Sequence, residues 1–233
     1  MVAENIKNIQ EQIDRACIAA GRAPGSVTLI AVSKTFDSAK IAEAIRAGVF
    51  DIGENYVQEA TRKREELADG RIRWHFIGHM QSNKVKYIVD WIHLIHSVDN
   101  ERVALEIQKR GERLKRAIQV FVEVNTSGEA TKYGVKPEQA LDLVRSISHY
   151  SNVDVQGLMT IGPFTEDLEA SRRSFRLLRT LFEEINVAGV LHQPMRHLSM
   201  GMSHDFRIAI EEGATMVRIG TAIFGSRTTT HPN

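Results

Sequence analysis

This 233-residue chain has few of the features that mark secreted, membrane or nucleic-acid-binding proteins. Cys17 is the only cysteine, so no disulfide can form within the chain. No stretch approaches the roughly 20 apolar residues that a membrane-spanning helix needs. Lys and Arg together number 30 and Asp and Glu 29, which leaves a net charge of +1. The bulk charge therefore gives no support for a nucleic-acid or membrane partner.

The start of the chain and its single thiol predict a cytoplasmic protein. Residues 1–14 mix charged and polar side chains without a hydrophobic stretch, unlike a signal peptide or a membrane anchor. A lone cysteine is typical of reducing compartments. Cys17 follows a helical repeat of apolar residues that includes Ile6, Ile9 and Ile13, which favours a packing role over a reactive thiol. The repeat predicts a helix at the N-terminus.

Short apolar, β-branched runs alternate with longer helical patterns along the rest of the chain. Eight such runs predict eight strands, each followed by a helical pattern. Several runs are almost continuously hydrophobic, as expected for parallel strands that are covered on both faces. The predicted strands are 27–34, 49–52, 74–77, 92–97, 118–125, 153–159, 197–199 and 215–219. The helical patterns that follow them cover about 38–48, 55–68, from 82, from 100, 137–149, 168–186, 203–212 and 221–225.

Eight strand–helix units indicate an α/β fold, a single closed (β/α)8 barrel of the TIM type with an extra N-terminal helix. An open, doubly wound sheet is the alternative, because sequence alone does not prove closure. No internal repeat or Pro/Gly/Ser-rich linker divides the chain, so residues 1–233 are expected to form one domain. Residues 228–233 are expected to be a disordered tail.

Candidate functional residues follow the predicted strands. In parallel barrels the site lies at the C-terminal ends of the strands, and loops after strands seven and eight often bind phosphate. Lys34 ends the first strand, Ser199 ends the seventh, and Gly220 and Thr221 follow the eighth. A desolvated lysine amine can attack a carbonyl, while hydroxyls and glycine-turn N–H groups can bind phosphate oxygens. The alternative for each residue is ordinary strand capping or turn formation.

Arg218 is an unusual residue for the middle of an apolar strand. Residues alternate between the two faces of a strand, so Arg218 shares its face with Gly220 and points toward the barrel mouth if Gly220 does. A buried arginine needs a partner. A ring nitrogen of a bound ligand is one candidate, and an internal ion pair with a carboxylate such as Glu123 is the other.

Asn55 and two histidines complete the candidates. Asn55 follows the second strand, where it is either the N-cap of the next helix or an amide directed at a ligand. His75 and His79 are four residues apart, but His75 falls in a predicted strand, so the two do not share a helix face. No set of Cys, Asp or Glu ligands accompanies them, and a metal site is not expected.

Six ordered motifs give the chain a specific resemblance. Across nearly its whole length it resembles the pyridoxal phosphate homeostasis proteins of the YggS/PROSC type. Several motifs in matching order and spacing are far more specific than any one of them alone. The motifs are LIAVSKT (29–35), IGENYVQE (52–59), WHFIGHMQSNK (74–84), GLMTI (157–161), LSMGMS (198–203) and MVRIGTAIFG (216–225).

The resemblance implies a barrel similar to the N-terminal domain of alanine racemase, which is fold type III among proteins that bind pyridoxal 5′-phosphate (PLP). It implies that Lys34 holds PLP as a Schiff base and that Arg218 faces the pyridine nitrogen. An arginine there keeps that nitrogen unprotonated, which weakens the ring as an electron sink. The residues implied to bind the cofactor are Lys34, Asn55, Ser199, Met200, Arg218, Gly220 and Thr221, with Ser199, Gly220 and Thr221 on the phosphate and Met200 acting through its backbone.

The function implied by the resemblance is PLP (vitamin B6) homeostasis, with supply of PLP to apo-enzymes and effects on amino-acid pools. No turnover reaction is implied, and either a monomer or a weak dimer is compatible with the sequence. The first alternative is a PLP-dependent amino-acid racemase, which needs an acid/base group on each face of the substrate Cα, such as Tyr56 or Tyr133. The second is a cofactor-free Schiff-base aldolase acting on a sugar phosphate, which shares Lys34 but does not require Arg218.

Overall fold

The structure, a computed structural model, describes residues 1–225; the predicted tail at 228–233 lies outside the described residues. Eight parallel strands form a closed barrel in chain order. Closure is made by β8 (Met216–Ile219), which pairs with both β1 (Thr28–Val32) and β7 (His197–Ser199). The predicted barrel is confirmed, and the open-sheet alternative is wrong. The other strands are β2 (Asp51–Glu54), β3 (Arg73–Phe76), β4 (Leu94–Val98), β5 (Ile118–Glu123) and β6 (Val153–Met159).

Alternation along each strand decides which side chains face the helices and which face the barrel interior. On β8, Val217 and Ile219 join the large apolar core under the helices, whereas Met216 belongs to a separate interior cluster. Arg218 therefore points inward, as the alternation predicts. The buried members of the interior apolar cluster are Ile30, Leu94, Phe121, Met159 and Met216.

The helices cover the outside of the barrel. The predicted N-terminal helix is confirmed: α1 (Val2–Ala19) packs against three other helices and buries one apolar side that includes Ile6, Ile13 and Cys17. Among the described residues, no helix combines the length and hydrophobicity that a bilayer-spanning segment requires. The other α-helices are α2 (Ser38–Arg46), α3 (Val57–Leu67), α4 (Glu101–Leu114), α5 (Ala140–Ile147), α6 (Leu168–Ala188), α7 (Phe206–Glu211) and α8 (Thr221–Phe224).

Two predicted helices differ from the observed ones. The segment after β3 forms a short 3-10 helix, Ser82–Tyr87, with i→i+3 hydrogen bonds such as Ile88 N–H to the Val85 carbonyl. The segment after β5 starts as a 3-10 turn, Pro137–Gln139, before α5 begins. Neither segment lines the cavity at the C-terminal ends of the strands.

Candidate functional site

A cavity of about 300 Å³ opens at the C-terminal ends of the barrel strands. It is enclosed by residues that follow β1, β2, β3, β6, β7 and β8, as the barrel geometry predicts. Five of the seven residues predicted from the sequence line this pocket: Lys34, Asn55, Arg218, Gly220 and Thr221. Its other lining residues are Val32, Phe36, Ile77, Ile161, Phe164, Met202, Ser203 and His204.

The other two predicted residues, Ser199 and Met200, lie one layer deeper. Both are fully buried and neither belongs to the pocket lining. The Ser199 hydroxyl accepts a hydrogen bond from Arg218 Nη1 at 2.7 Å. The Met200 N–H donates to the Met216 carbonyl at 3.2 Å, and its side chain packs in the core outside the barrel. Contact between either residue and a ligand therefore stays a prediction.

Ser203, which the sequence reasoning did not select, places a second hydroxyl in the pocket beside that of Thr221. It lines the pocket, and its Oγ lies 3.2 Å from Thr221 Oγ1. Gly220 completes this corner, because a Cβ added there would lie only 3.2 Å from the Val32 carbonyl oxygen. Ser203 ends the same LSMGMS motif that contains Ser199, so the motif indicated the loop but not which of its serines reaches the pocket.

The turn that carries Lys34 has a strained backbone. Lys34 is half-buried in the pocket wall, two residues beyond the end of β1. The next residue, Thr35, has φ = 71°, a left-handed conformation that is rare for a β-branched residue. Its N–H donates to Glu59 Oε1 at 2.7 Å. Such strain persists only where surrounding contacts impose it, so the conformation next to Lys34 is fixed by its neighbours.

Those contacts come from four residues between the barrel and α3, here called the outer cluster: Ser33, Glu54, Glu59 and Lys63. Lys63 is fully buried, and its Nζ lies 2.7 Å from an Oε1 atom of each carboxylate. The same amine donates to the Ser33 carbonyl at 2.6 Å. Burial raises the pKa of Glu54, and Lys63 opposes that rise. The outer cluster thus ties α3 to the backbone on both sides of Lys34.

Asn55 is not the N-cap that its sequence context suggested. Helix α3 begins at Val57 with Tyr56 as its N-cap residue, so Asn55 lies one residue too early to cap it. Asn55 lines the pocket, and its Oδ1 is buried without a hydrogen-bond partner among the described residues. Buried polar atoms normally have a partner, so this oxygen is available to a hydrogen-bond donor on a ligand.

Arg218 lies at the inner wall of the pocket with little solvent exposure. Its Nη1 donates to Ser199 Oγ at 2.7 Å and its Nη2 to the Thr160 carbonyl at 2.8 Å. Within the described residues it makes no ion pair with Glu123, the internal partner considered from sequence. Burial lowers the pKa of Arg218 to about 10, while the charges of Glu123 and Asp205 oppose the shift. The side chain therefore remains a cation at neutral pH.

Two histidines and one acid occupy the interior below the pocket. His75 and His96 are buried, and burial lowers the pKa of both, so both are neutral near pH 7. Burial raises the pKa of Glu123 to about 7, with a further rise from Asp99 and an opposing effect of Arg218. The sequence analysis considered His75 only for a metal site and Glu123 only as an ion-pair partner of Arg218, and it did not consider His96. The available signal was strand alternation, since His75 lies between the outward-packed Trp74 and Phe76.

Comparison with known proteins agrees with the fold and motifs. Residues 3–228 match the family model of the alanine racemase N-terminal domain. A pyridoxal phosphate homeostasis protein of Aquifex aeolicus is 46% identical over 228 residues, which cover 96% of this chain and 97% of the relative. The structure of PipY from Synechococcus elongatus, solved with PLP bound, is 33% identical with a TM-score of 0.84, covering 97% of this chain and 100% of PipY.

A more distant match concerns the fold alone. An alanine racemase of Clostridium difficile superimposes with a TM-score of 0.73 at 14% identity, and the match covers 97% of this chain but 57% of the racemase. The racemase is thus the longer protein, and its barrel corresponds to this chain. Together these comparisons confirm the resemblance read from the motifs: the chain belongs to the alanine racemase N-terminal domain family and, within it, to the pyridoxal phosphate homeostasis proteins.

Proposed function

We propose that this protein binds PLP in the pocket at the C-terminal end of the barrel, through a Schiff base with Lys34. The observation that carries the proposal is that three kinds of group line the same cavity: an amine at Lys34, a cation at Arg218 and a hydroxyl at Thr221. An amine condenses with an aldehyde and releases water, and a cation and hydroxyls complement phosphate and ring acceptors. The relative PipY, whose structure was solved with PLP bound, supports the choice of cofactor.

The phosphate of PLP would bind at the corner formed by Ser203, Gly220 and Thr221. Two hydroxyls lie 3.2 Å apart there, and the absence of a side chain at Gly220 leaves the backbone open to close approach. In this proposal Ser203 provides the hydroxyl contact that the sequence had assigned to Ser199. Ser199 would support Arg218 through its hydrogen bond, whereas the Met200 side chain packs outside the barrel.

The ring of PLP would lie against Ile77 and Ile161, two apolar lining residues. Arg218 borders the same space, and the two hydrogen bonds it makes inside the protein leave other guanidinium N–H groups for an acceptor on the ring. The buried Oδ1 atom of Asn55, which has no partner among the described residues, provides a further contact as an acceptor. These groups fit a ligand with an aromatic face and polar substituents at its edge.

The proposed role is to hold PLP and supply it to apo PLP enzymes in the cytoplasm, with consequent effects on amino-acid pools. Arginine can only donate hydrogen bonds, so it favours an unprotonated ring nitrogen and disfavours carbanion chemistry. Neither Tyr56 nor Tyr133, the tyrosines considered for a racemase, lines the pocket among the described residues. Both features support a carrier over the alternative PLP-dependent racemase.

Reduction of the loaded protein tests the proposed attachment. Purified protein incubated with PLP is expected to show a visible absorption band, and borohydride followed by peptide mapping should locate the added mass on Lys34. Lys34→Ala should lose both signals. Lys109→Ala, at an exposed lysine of α4 outside the pocket, is the matched control and should keep both. A band with no adduct on Lys34, or no band at all, would overturn the proposal; the second result is the one a cofactor-free aldolase gives.

Exchange of the Cα proton of L-alanine in deuterated water separates a carrier from a racemase. We expect exchange far slower than about 1 s⁻¹, a rate at the low end for enzymes. The loaded Lys34→Ala protein provides the background rate. Exchange at or above that enzymatic rate, lost in Lys34→Ala, would contradict the carrier role while leaving PLP binding intact.

A further inference from the structure

A continuous chain of hydrogen-bonding side chains, here called the inner relay, crosses the barrel interior and ends at the pocket. It begins at Asp51, the first residue of β2, whose Oδ1 lies 2.9 Å from His75 Nε2. His75 Nδ1 lies 2.9 Å from His96 Nε2. His96 Nδ1 lies 3.0 Å from Ser199 Oγ, which accepts from Arg218 Nη1 at 2.7 Å.

The direction of every proton in the inner relay follows from its two ends. Hydrogen bonds from His75 and Arg73 overcome the effect of burial and lower the pKa of Asp51 to about 2, so Asp51 is a carboxylate and only accepts. His75 Nε2 must then carry a proton, which leaves Nδ1 of this neutral ring as an acceptor. His96 Nε2 must therefore donate, and His96 Nδ1 must accept.

The remaining link is determined in the same way. Arginine has no acceptor, so Arg218 donates to Ser199 Oγ. Ser199 then donates its own proton to His96 Nδ1. All the hydrogen bonds point from Arg218 toward Asp51, and each ring nitrogen and hydroxyl between them has a partner. Such a fully satisfied buried network holds its members in one arrangement.

We propose that Asp51 acts at a distance as a positioning residue for Arg218, fixing the orientation of its guanidinium at the pocket wall through this one-directional relay. The part of the proposal that concerns PLP rests on the proposed function. Because three uncharged side chains separate the carboxylate from the guanidinium, the positive charge is oriented without being neutralised by contact. Arg218 thus keeps both its charge and further N–H donors for a ligand.

Nitrogen-15 NMR of the histidine side chains tests the relay in protein without PLP. At neutral pH we expect His75 and His96 each to carry a proton on Nε2 and none on Nδ1, with signals assigned by single His→Gln variants. A ring protonated on Nδ1, or on both nitrogens, at either position would overturn the proposal. This result does not depend on whether the protein binds PLP.

Asp51→Asn tests whether the carboxylate sets the direction of the hydrogen bonds in the inner relay. A carboxamide can donate as well as accept, so either direction becomes possible and His96, which does not contact residue 51, should acquire the Nδ1–H form in part. Arg73→Gln is the matched control, because it removes the other partner of Asp51 but keeps an acceptor-only carboxylate. An unchanged His96 in Asp51→Asn, or the same change in the control, would contradict the relay.

Variants at His96 test the effect on the cofactor. His96→Leu interrupts the relay and should weaken PLP retention by about tenfold, the scale of one hydrogen bond to a charged group, and shift the visible band. His96→Gln has both a donor and an acceptor and should restore both readouts. A normal band and retention in His96→Leu would overturn the positioning role. Failure of the proposed function would look different, since wild-type protein would then lack the reduced adduct on Lys34. If His96→Leu does not fold, Asp51→Asn can be compared with wild-type protein for the same two readouts.

Discussion

The outer cluster and the inner relay bury charge in opposite ways. In the outer cluster, Lys63 directly contacts two carboxylates, each at 2.7 Å. In the inner relay, Arg218 contacts a hydroxyl and a backbone carbonyl, and its carboxylate, Asp51, is reached only through neutral side chains. Direct ion pairing fixes a backbone turn but neutralises the charge of the lysine. A relay fixes the orientation of the guanidinium and leaves its charge available to a ligand.

The difference matches what each region supports. The outer cluster lies beside the turn that carries Lys34, where a rigid backbone is required and a second charge at the pocket is not. The inner relay ends at Arg218, whose function in the proposed site depends on its charge. The comparison predicts that the outer cluster is sensitive to the loss of any partner and that Arg218 is not held by an ion pair.

Lys63→Met is expected to have the largest effect on stability. It leaves Glu54 and Glu59 without their shared cation in a buried setting, which typically costs about 3–5 kcal/mol. The free energy of unfolding from urea titration measures the loss. Lys40→Met is the matched control, because Lys40 forms a partly exposed pair with Glu43 and such pairs contribute about 0–1 kcal/mol. Equal losses in the two variants would remove the distinction between the outer cluster and an ordinary surface pair.

The sequence was sufficient to predict the barrel and five of the residues that line the pocket, because both follow from local patterns. Strand runs predicted the eight-stranded barrel, and their ends identified Lys34, Gly220 and Thr221. Alternation along β8 predicted the inward orientation of Arg218. These signals lie within a few residues of the side chains that they predict.

The supporting networks were not predictable in the same way. Lys63 is a charged residue in a polar helix, and only its packing against Ser33 and Glu54 shows that it is buried. His75 and His96 belong to different strands, and their 2.9 Å contact depends on barrel closure and strand register. Ser203 reaches the pocket, while Ser199 lies below it, because of the course of one loop. Contacts between distant segments carry no short-range sequence signal.

The pH dependence of stability at Glu123 tests whether this carboxyl is an ion-pair partner of Arg218. Its pKa is raised by burial to about 7 from 4.5, so the folded state binds its proton more tightly than the unfolded chain does. The contribution of Glu123 to stability is therefore largest below pH 4.5 and is lost as pH rises toward 7, by about 3 kcal/mol for a shift of this size. Glu123→Gln removes this dependence, so the stability of the variant relative to the parent should increase by about 2.5 kcal/mol from pH 5 to pH 8.

Urea unfolding of parent and variant at the two pH values measures that increase. Glu65→Gln, at an exposed position on α3, is the control and should show no comparable change with pH. If Glu123→Gln instead lost stability relative to the parent at pH 8, Glu123 would be the counter-ion of Arg218. Arg218 would then be held by an ion pair, as Lys63 is, and the contrast between the outer cluster and the inner relay would be wrong.

The smallest expected effect concerns the backbone at Thr35. With φ = 71°, Thr35 adopts a conformation that asparagine tolerates better than a β-branched residue, so Thr35→Asn should raise the free energy of unfolding by about 0.5–1 kcal/mol. Thr35→Val keeps the β-branch and should show no such gain. Because the strain is attributed to Glu59 held by Lys63, the gain should shrink when Thr35→Asn is combined with Lys63→Met. A gain of full size in that double variant would show that the turn is strained independently of the outer cluster.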